Sequence, residues 1–221
     1  MKLTIVAATG RIGRHTLDQA LAAGHDVTAV VRNPAHVSAN VPVVQVDLSD
    51  PDRDRLESAV AGADAVLSGL GPRSLAEAGI TAPGTRAIVQ AMQATGVRRI
   101  VAVSAAPVST VASPGRPVPP RHDPGEGFWM RNLLTPFAKT VMRKHYADLG
   151  VMEDVLRDSG LDWTVVRPPR LTDRPLTRSY RTASGQNLRG GLVVPRADVA
   201  HLMLAVLDDP DTFKQAVGVA T

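Results

Sequence analysis

Residues 3–13 read Leu-Thr-Ile-Val-Ala-Ala-Thr-Gly-Arg-Ile-Gly, a short apolar strand that runs straight into a glycine-punctuated turn and then a helix. No other stretch constrains the fold as much. A strand entering a helix through Gly10 and Gly13 gathers bare backbone N–H groups and the positive end of a helix at one point. That arrangement receives a diphosphate and opens a βαβ unit. The spacing is Gly-x-x-Gly-x-x-Gly with Ala7 at its first position. A helix is expected over 11–23, with Ile12, Thr16, Leu17, Ala20 and Leu21 on one face and Gly24 ending it. The next strand, Asp26–Val31, stops at Arg32. In such units the residue ending the second strand faces the adenosine ribose, where an acid suits the 2′-hydroxyl and an arginine a 2′-phosphate. Arg32 therefore points to NADP(H), and Arg11, inside the turn, is placed to close on the same phosphate.

Further strands are expected at 42–46, 65–68, 99–103 and 162–166, with helices between them at 53–61, 83–95 and 148–159. Such alternation predicts an α/β, Rossmann-type doubly wound parallel sheet in a single domain, since parallel strands buried on both faces read as short runs of Val, Ile, Leu and Ala. Gly96 and Gly160 follow two of these helices as caps. A last helix follows Pro195, and a short strand at 216–219 is expected at the sheet edge.

One segment breaks the rhythm. Residues 105–127 hold too many prolines and glycines for a helix or a central strand, and they leave the C-terminal end of a central strand, where open α/β sheets bind ligands. A lid-like insertion over about 105–147 is expected there. It includes Phe128, Trp129, Leu133 and Phe137 as a core face or a substrate wall.

Composition excludes several alternatives. The 221 residues contain no cysteine, so disulfide frameworks and thiolate chemistry are absent. The six histidines are scattered without ligand spacing, and no metal is assigned. With 25 Lys plus Arg against 21 Asp plus Glu, the formal charge of +4 is spread along the chain, and no basic block suggests nucleic acid. The first apolar run is too short for a signal-peptide core or a membrane span, so a cytoplasmic protein without membrane contact is expected, as monomer or homodimer acting on a small molecule.

The chain resembles the atypical short-chain dehydrogenases of the NAD(P)H-binding type, the group that includes biliverdin reductase B (flavin reductase) and NmrA-like proteins. The resemblance rests on Ala7-Ala8-Thr9-Gly10-Arg11-Ile12-Gly13, Ser159-Gly160-Leu161, Val166-Arg167-Pro168-Pro169, Asp173-Arg174-Pro175-Leu176-Thr177 and Arg196-Ala197-Asp198-Val199-Ala200. It covers most of the chain except 105–147. The resemblance implies that Ala7, Thr9, Gly10, Arg11, Ile12 and Gly13 hold the pyrophosphate and Arg32 the 2′-phosphate. It also implies that Asp47 and Leu48 lie beside the adenine, and that Gly69, Leu70 and Gly71 let the backbone pass close to a ribose. Ser104, Pro168, Pro169 and Leu171 would border the nicotinamide.

The departures from that pattern bear on the chemistry. Short-chain dehydrogenases use a Tyr-x-x-x-Lys pair for proton transfer, but here the residue four positions after Tyr146 is Gly150 and that after Tyr180 is Ser184. After Pro168-Pro169 stands Arg170, which anchors an anion but donates no proton. His122-Asp123 and His145-Tyr146 are substitute donors, and water is a third. The resulting expectation is an NADPH-dependent oxidoreductase acting on a small planar acceptor, such as a flavin, quinone or conjugated carbonyl. The alternative is a non-catalytic NADP-binding sensor.

Overall fold

The computed structural model describes residues 1–72, 74, 77–125 and 142–221. These form the strands β1 (Lys2–Val6), β2 (Asp26–Val31), β3 (Val43–Gln45), β4 (Ala65–Ser68), β5 (Arg99–Val103), β6 (Asp162–Arg167), β7 (Arg170–Thr172), β8 (Arg181–Ser184), β9 (Val193–Pro195) and β10 (Gln215–Ala220). The helices are α1 (Gly13–Ala22), α2 (Arg53–Val60), α3 (Thr81–Thr95), α4 (Arg143–Asp158) and α5 (Arg196–Ala205). Eight strands make one sheet in the order β3-β2-β1-β4-β5-β6-β10-β8, while β7 and β9 pair separately. Every pairing in the large sheet is parallel except β10 with β8.

Strand alternation divides the core in two. Ile100 and Ala102 of β5 join the cluster under α2, α3 and α4, whereas Val101 and Val103 join the one under α1 and α5. The strand order turns back on itself at β1 and β4, leaving a crevice beyond their C-terminal ends. No described helix is long and apolar enough to cross a membrane.

Three expectations change here. The last strand is not at the edge: β10 lies between β6 and β8. The outer position belongs to β8, a polar four-residue segment whose exposure leaves no hydrophobic alternation to read. Next, α3 begins at Thr81, ahead of Pro83, because a residue remote in sequence caps it. Asp148 of α4 accepts the Thr81 and Ala82 amides at 2.9 and 3.0 Å. Helix α4 itself starts at Arg143 rather than 148.

Third, the lid reading does not extend over 105–125. A buried 3₁₀ turn spans Ala106–Thr110, and Gly115 N and the Ser113 hydroxyl donate to Asp154 on α4 at 2.8 and 3.0 Å. Asp123 accepts the amides of Gly125 and Asn187, both at 2.9 Å. The segment is a strap pinned to α4 and to the loop before β9. Phe128, Trp129, Leu133 and Phe137 lie outside the described residues.

Candidate active site

The glycine turn is shaped by close backbone approach. A Cβ added at Gly13 would sit 2.1 Å from the Ala7 carbonyl oxygen, and one at Gly10 would sit 3.0 Å from the same atom. The turn closes through Gly10 N donating to Ala7 O at 2.8 Å. Ala7 itself adopts φ 57°, left-handed backbone that a glycine would occupy without strain. Helix α1 has no side-chain cap and no acid in its first turn, so its leading amides face no competing protein oxygen from those sources. Together these features leave bare backbone amides at the front of α1, where the sequence leads one to expect a phosphate.

Along the C-terminal edge of β1, β2, β4 and β5 runs a cavity of about 650 Å³. Of the residues singled out from sequence, Ala7, Thr9, Gly10, Arg11, Ile12, Arg32, Asp47, Leu48, Gly69, Leu70, Gly71, Ser104 and Leu171 line it. Gly13, Pro168, Pro169 and Arg170 do not. Gly13 acts one layer behind, by letting α1 press on the turn. Pro168 is buried, its carbonyl taken by Ala106 N at 2.8 Å. Arg170 is exposed on β7, and alternation along that short strand turns its neighbour Leu171, not Arg170, to the cavity.

At the β2 end, Arg32 faces two acids. Its Nη1 is 3.5 Å from Glu77 Oε1, and Asp47 lies beside it on the cavity wall. The Asp47 carboxyl is held below its ordinary value first by the Ser49 amide and hydroxyl, with Arg32 adding a smaller effect. At the glycine turn, Arg11 Nη2 and Arg196 Nη1 grip the same carboxylate, Asp173, at 2.9 and 2.6 Å. Arg196, at the start of α5, also lines the cavity. It was missed because only the folded chain brings it to the turn, although its place directly after Pro195 was visible.

At the β5 end the wall consists of Val103, Ser104, Met142, His145, Leu149 and Leu171. The Ser104 hydroxyl donates to Glu153 Oε1 at 2.8 Å, and Glu153 is paired with Arg167. His145 reaches this wall with a buried Nδ1 that has no hydrogen-bond partner among the described residues. Burial pushes the imidazole below its ordinary 6.5, and Asp148 opposes that shift. Tyr146 is buried with its hydroxyl toward Met142 Sδ at 3.5 Å, and burial raises its pKa. The other candidate donor, His122, lies in the strap away from the cavity, and Asp123 is spent on backbone amides. Among the described residues no cluster of His, Asp and Glu is arranged to hold a metal.

A family model described as NAD(P)H-binding matches residues 7–210. The uncharacterized sugar epimerase YhfK of Bacillus subtilis is 25% identical over 227 residues, covering 98% of this chain and 92% of that protein. Among solved structures, a short-chain dehydrogenase/reductase from Veillonella parvula in complex with NADP is similar at 19% identity and a TM-score of 0.76, covering 100% of this chain and 94% of that one. ChuY, an anaerobillin reductase from Escherichia coli O157:H7, is similar at 21% identity and a TM-score of 0.74, covering 100% and 97%. These neighbours share the Rossmann-like sheet, and the model match spans the glycine turn, the strand-end arginine and the cavity wall. The chain belongs to the NAD(P)H-binding family.

Proposed function

We propose that this protein is an NADPH-dependent oxidoreductase that transfers a hydride to a small planar acceptor such as a flavin, quinone or conjugated carbonyl. The observation that carries the reading is the continuity of the cavity: one 650 Å³ space joins Arg32, the glycine turn and Ser104. That sequence of a cation, a phosphate cradle and a largely apolar wall suits the three parts of a phosphorylated dinucleotide, taken from ribose phosphate to nicotinamide. The Veillonella relative's NADP and the reductase activity in ChuY's name support the choice of cofactor and acceptor class.

Residues Gly10, Arg11 and Ile12 would hold the diphosphate, and Arg32 the 2′-phosphate against the competition of Glu77. Leu171 and Leu149 exclude water from the nicotinamide end. The bound cofactor supplies the hydride. Proton delivery falls to His145 or to water, since Tyr146 is turned to Met142. In this reading the protein works in the cytoplasm, as monomer or homodimer.

The buried Tyr146 and the Gly150 four positions after it favour one second reading, an NADP-binding sensor without turnover. They count equally against a sugar epimerase like the name given to the Bacillus relative, which needs a proton-exchanging group at the sugar. Calorimetry with NADPH and NADH, followed by loss of reduced-nicotinamide absorbance with a panel of flavins and quinones, tests both readings. Binding with oxidation above background supports the reductase. Binding without oxidation selects the sensor, and no binding refutes both.

A further inference from the structure

Beneath the Ser104 end of the cavity lies an ion pair that the cofactor cradle does not use. Glu153 on α4 is 4% exposed and Arg167, ending β6, is 6% exposed. Arg167 Nε donates to Glu153 Oε1 at 2.9 Å and Nη2 donates to Oε2. Arg157 stands 3.9 Å from the same Oε2. The Ser104 hydroxyl adds a third bond, donating to Oε1 at 2.8 Å. A carboxylate in an ion pair only accepts, while a hydroxyl has one proton and two lone pairs. Ser104 has therefore committed its single proton to Glu153, in a charge-assisted bond stronger than a neutral one. What it offers the cavity is a lone pair.

We infer that Ser104 acts in this cavity as a hydrogen-bond acceptor for the N–H of the nicotinamide carboxamide, and that Glu153, held by Arg167, is the positioning residue that sets this polarity. The inference rests on the reading under Proposed function. Ser104 follows β5, two strands from β1 and on the far side of the glycine turn from Arg32, where the non-adenine half of a dinucleotide lies. The carboxamide is the N–H donor on that ring. It follows that Ser104 does not polarise a carbonyl of the acceptor, because that role needs the proton Glu153 already holds.

Calorimetry separates these roles without any turnover. The ligands are NADP, its thionicotinamide analogue, which keeps the NH₂, and its 3-acetylpyridine analogue, which has a methyl there. The wild-type protein is expected to bind the acetylpyridine form about fivefold more weakly than the thionicotinamide form, the factor for one net hydrogen bond. Ser104→Ala is expected to bind both alike, and Ser104→Thr to keep the preference. Glu153→Met removes the acceptor shared by Ser104 and Arg167, frees the hydroxyl proton and abolishes the preference. If that variant fails to fold, the Ser104 pair still decides. Equal wild-type affinities, or a preference that survives in Ser104→Ala, overturn the inference. Failure of NADP itself to bind overturns the underlying reading instead.

Discussion

Gly13→Ala puts the close packing of the glycine turn to a direct test. The added Cβ would lie 2.1 Å from the Ala7 carbonyl oxygen, 2.9 Å from its carbon and 3.1 Å from Ala8 Cα, all backbone atoms that no rotamer change can move aside. Ordinary van der Waals contact for such atoms begins near 3.4 Å, so the turn and α1 must separate by about 1 Å. Overpacking a core position costs about 1 to 3 kcal/mol, and a backbone collision belongs in the upper half of that range. For a chain of this size each kcal/mol lowers the melting temperature by about 2 to 4 °C, so a fall of roughly 4 to 12 °C is expected. Gly71→Ala is the control. An added Cβ there meets nothing within 4 Å among the described residues and the residue lines the same cavity, so its stability should be unchanged. Thermal melting by circular dichroism reads the first effect and calorimetry with NADP the second. Because α1 presents its amides to the cradle, Gly13→Ala should also weaken cofactor binding although Gly13 does not itself line the cavity. A melting temperature within about 2 °C of wild type, less than one kcal/mol on this scale, would refute the packing argument.

The site's charges predict three further results. Arg32→Asp should weaken NADPH binding by about tenfold or more, the scale of one charge-assisted hydrogen bond, and NADH binding far less; equal losses by calorimetry mean another residue selects the cofactor. Asp173→Asn frees Arg11 and Arg196 for an anionic ligand, and because the Asp173 and Arg11 side chains are exposed the gain in NADP affinity should be only about two- to fivefold. That gain should shrink as salt is raised, and a loss of affinity would show that Asp173 instead orients the two arginines. For His145, burial lowers the folded pKa below the ordinary 6.5, so the unfolded chain takes up the proton first as pH falls. The stabilising contribution of the neutral ring is then fully present above about pH 6.5 and is lost as pH drops toward the folded value. Melting curves at about pH 7.5 and about pH 5.5 should show a larger loss for wild type than for His145→Gln; parallel losses would sink the assignment.

The local signals were legible and the long-range ones were not. The run from β1 through the glycine turn into α1 depends on neighbours a few residues apart, and so do strands whose apolar side chains are buried on both sides. Asp26–Val31, Ala65–Ser68 and Arg99–Val103 accordingly form where their composition placed them. That Leu171 and not Arg170 lines the cavity was not legible, because facing a cavity depends on strand alternation within β7, whose pairing with β9 no local pattern announces. The strap at 105–125 read as a lid because its partners, Asp154 and Asn187, come from other elements.

Composition and spacing along the chain thus determined the sheet type, the glycine turn and the strand-end arginine, because each is a property of a short contiguous segment. Only the fold decided which charges meet. Arg11 finds Asp173 across 162 residues, Thr81 finds Asp148 across 67 and Ser104 finds Glu153 across 49. Electrostatic and hydrogen-bond partners are chosen by distance in space, and a linear sequence carries no measure of that distance until its strands have paired.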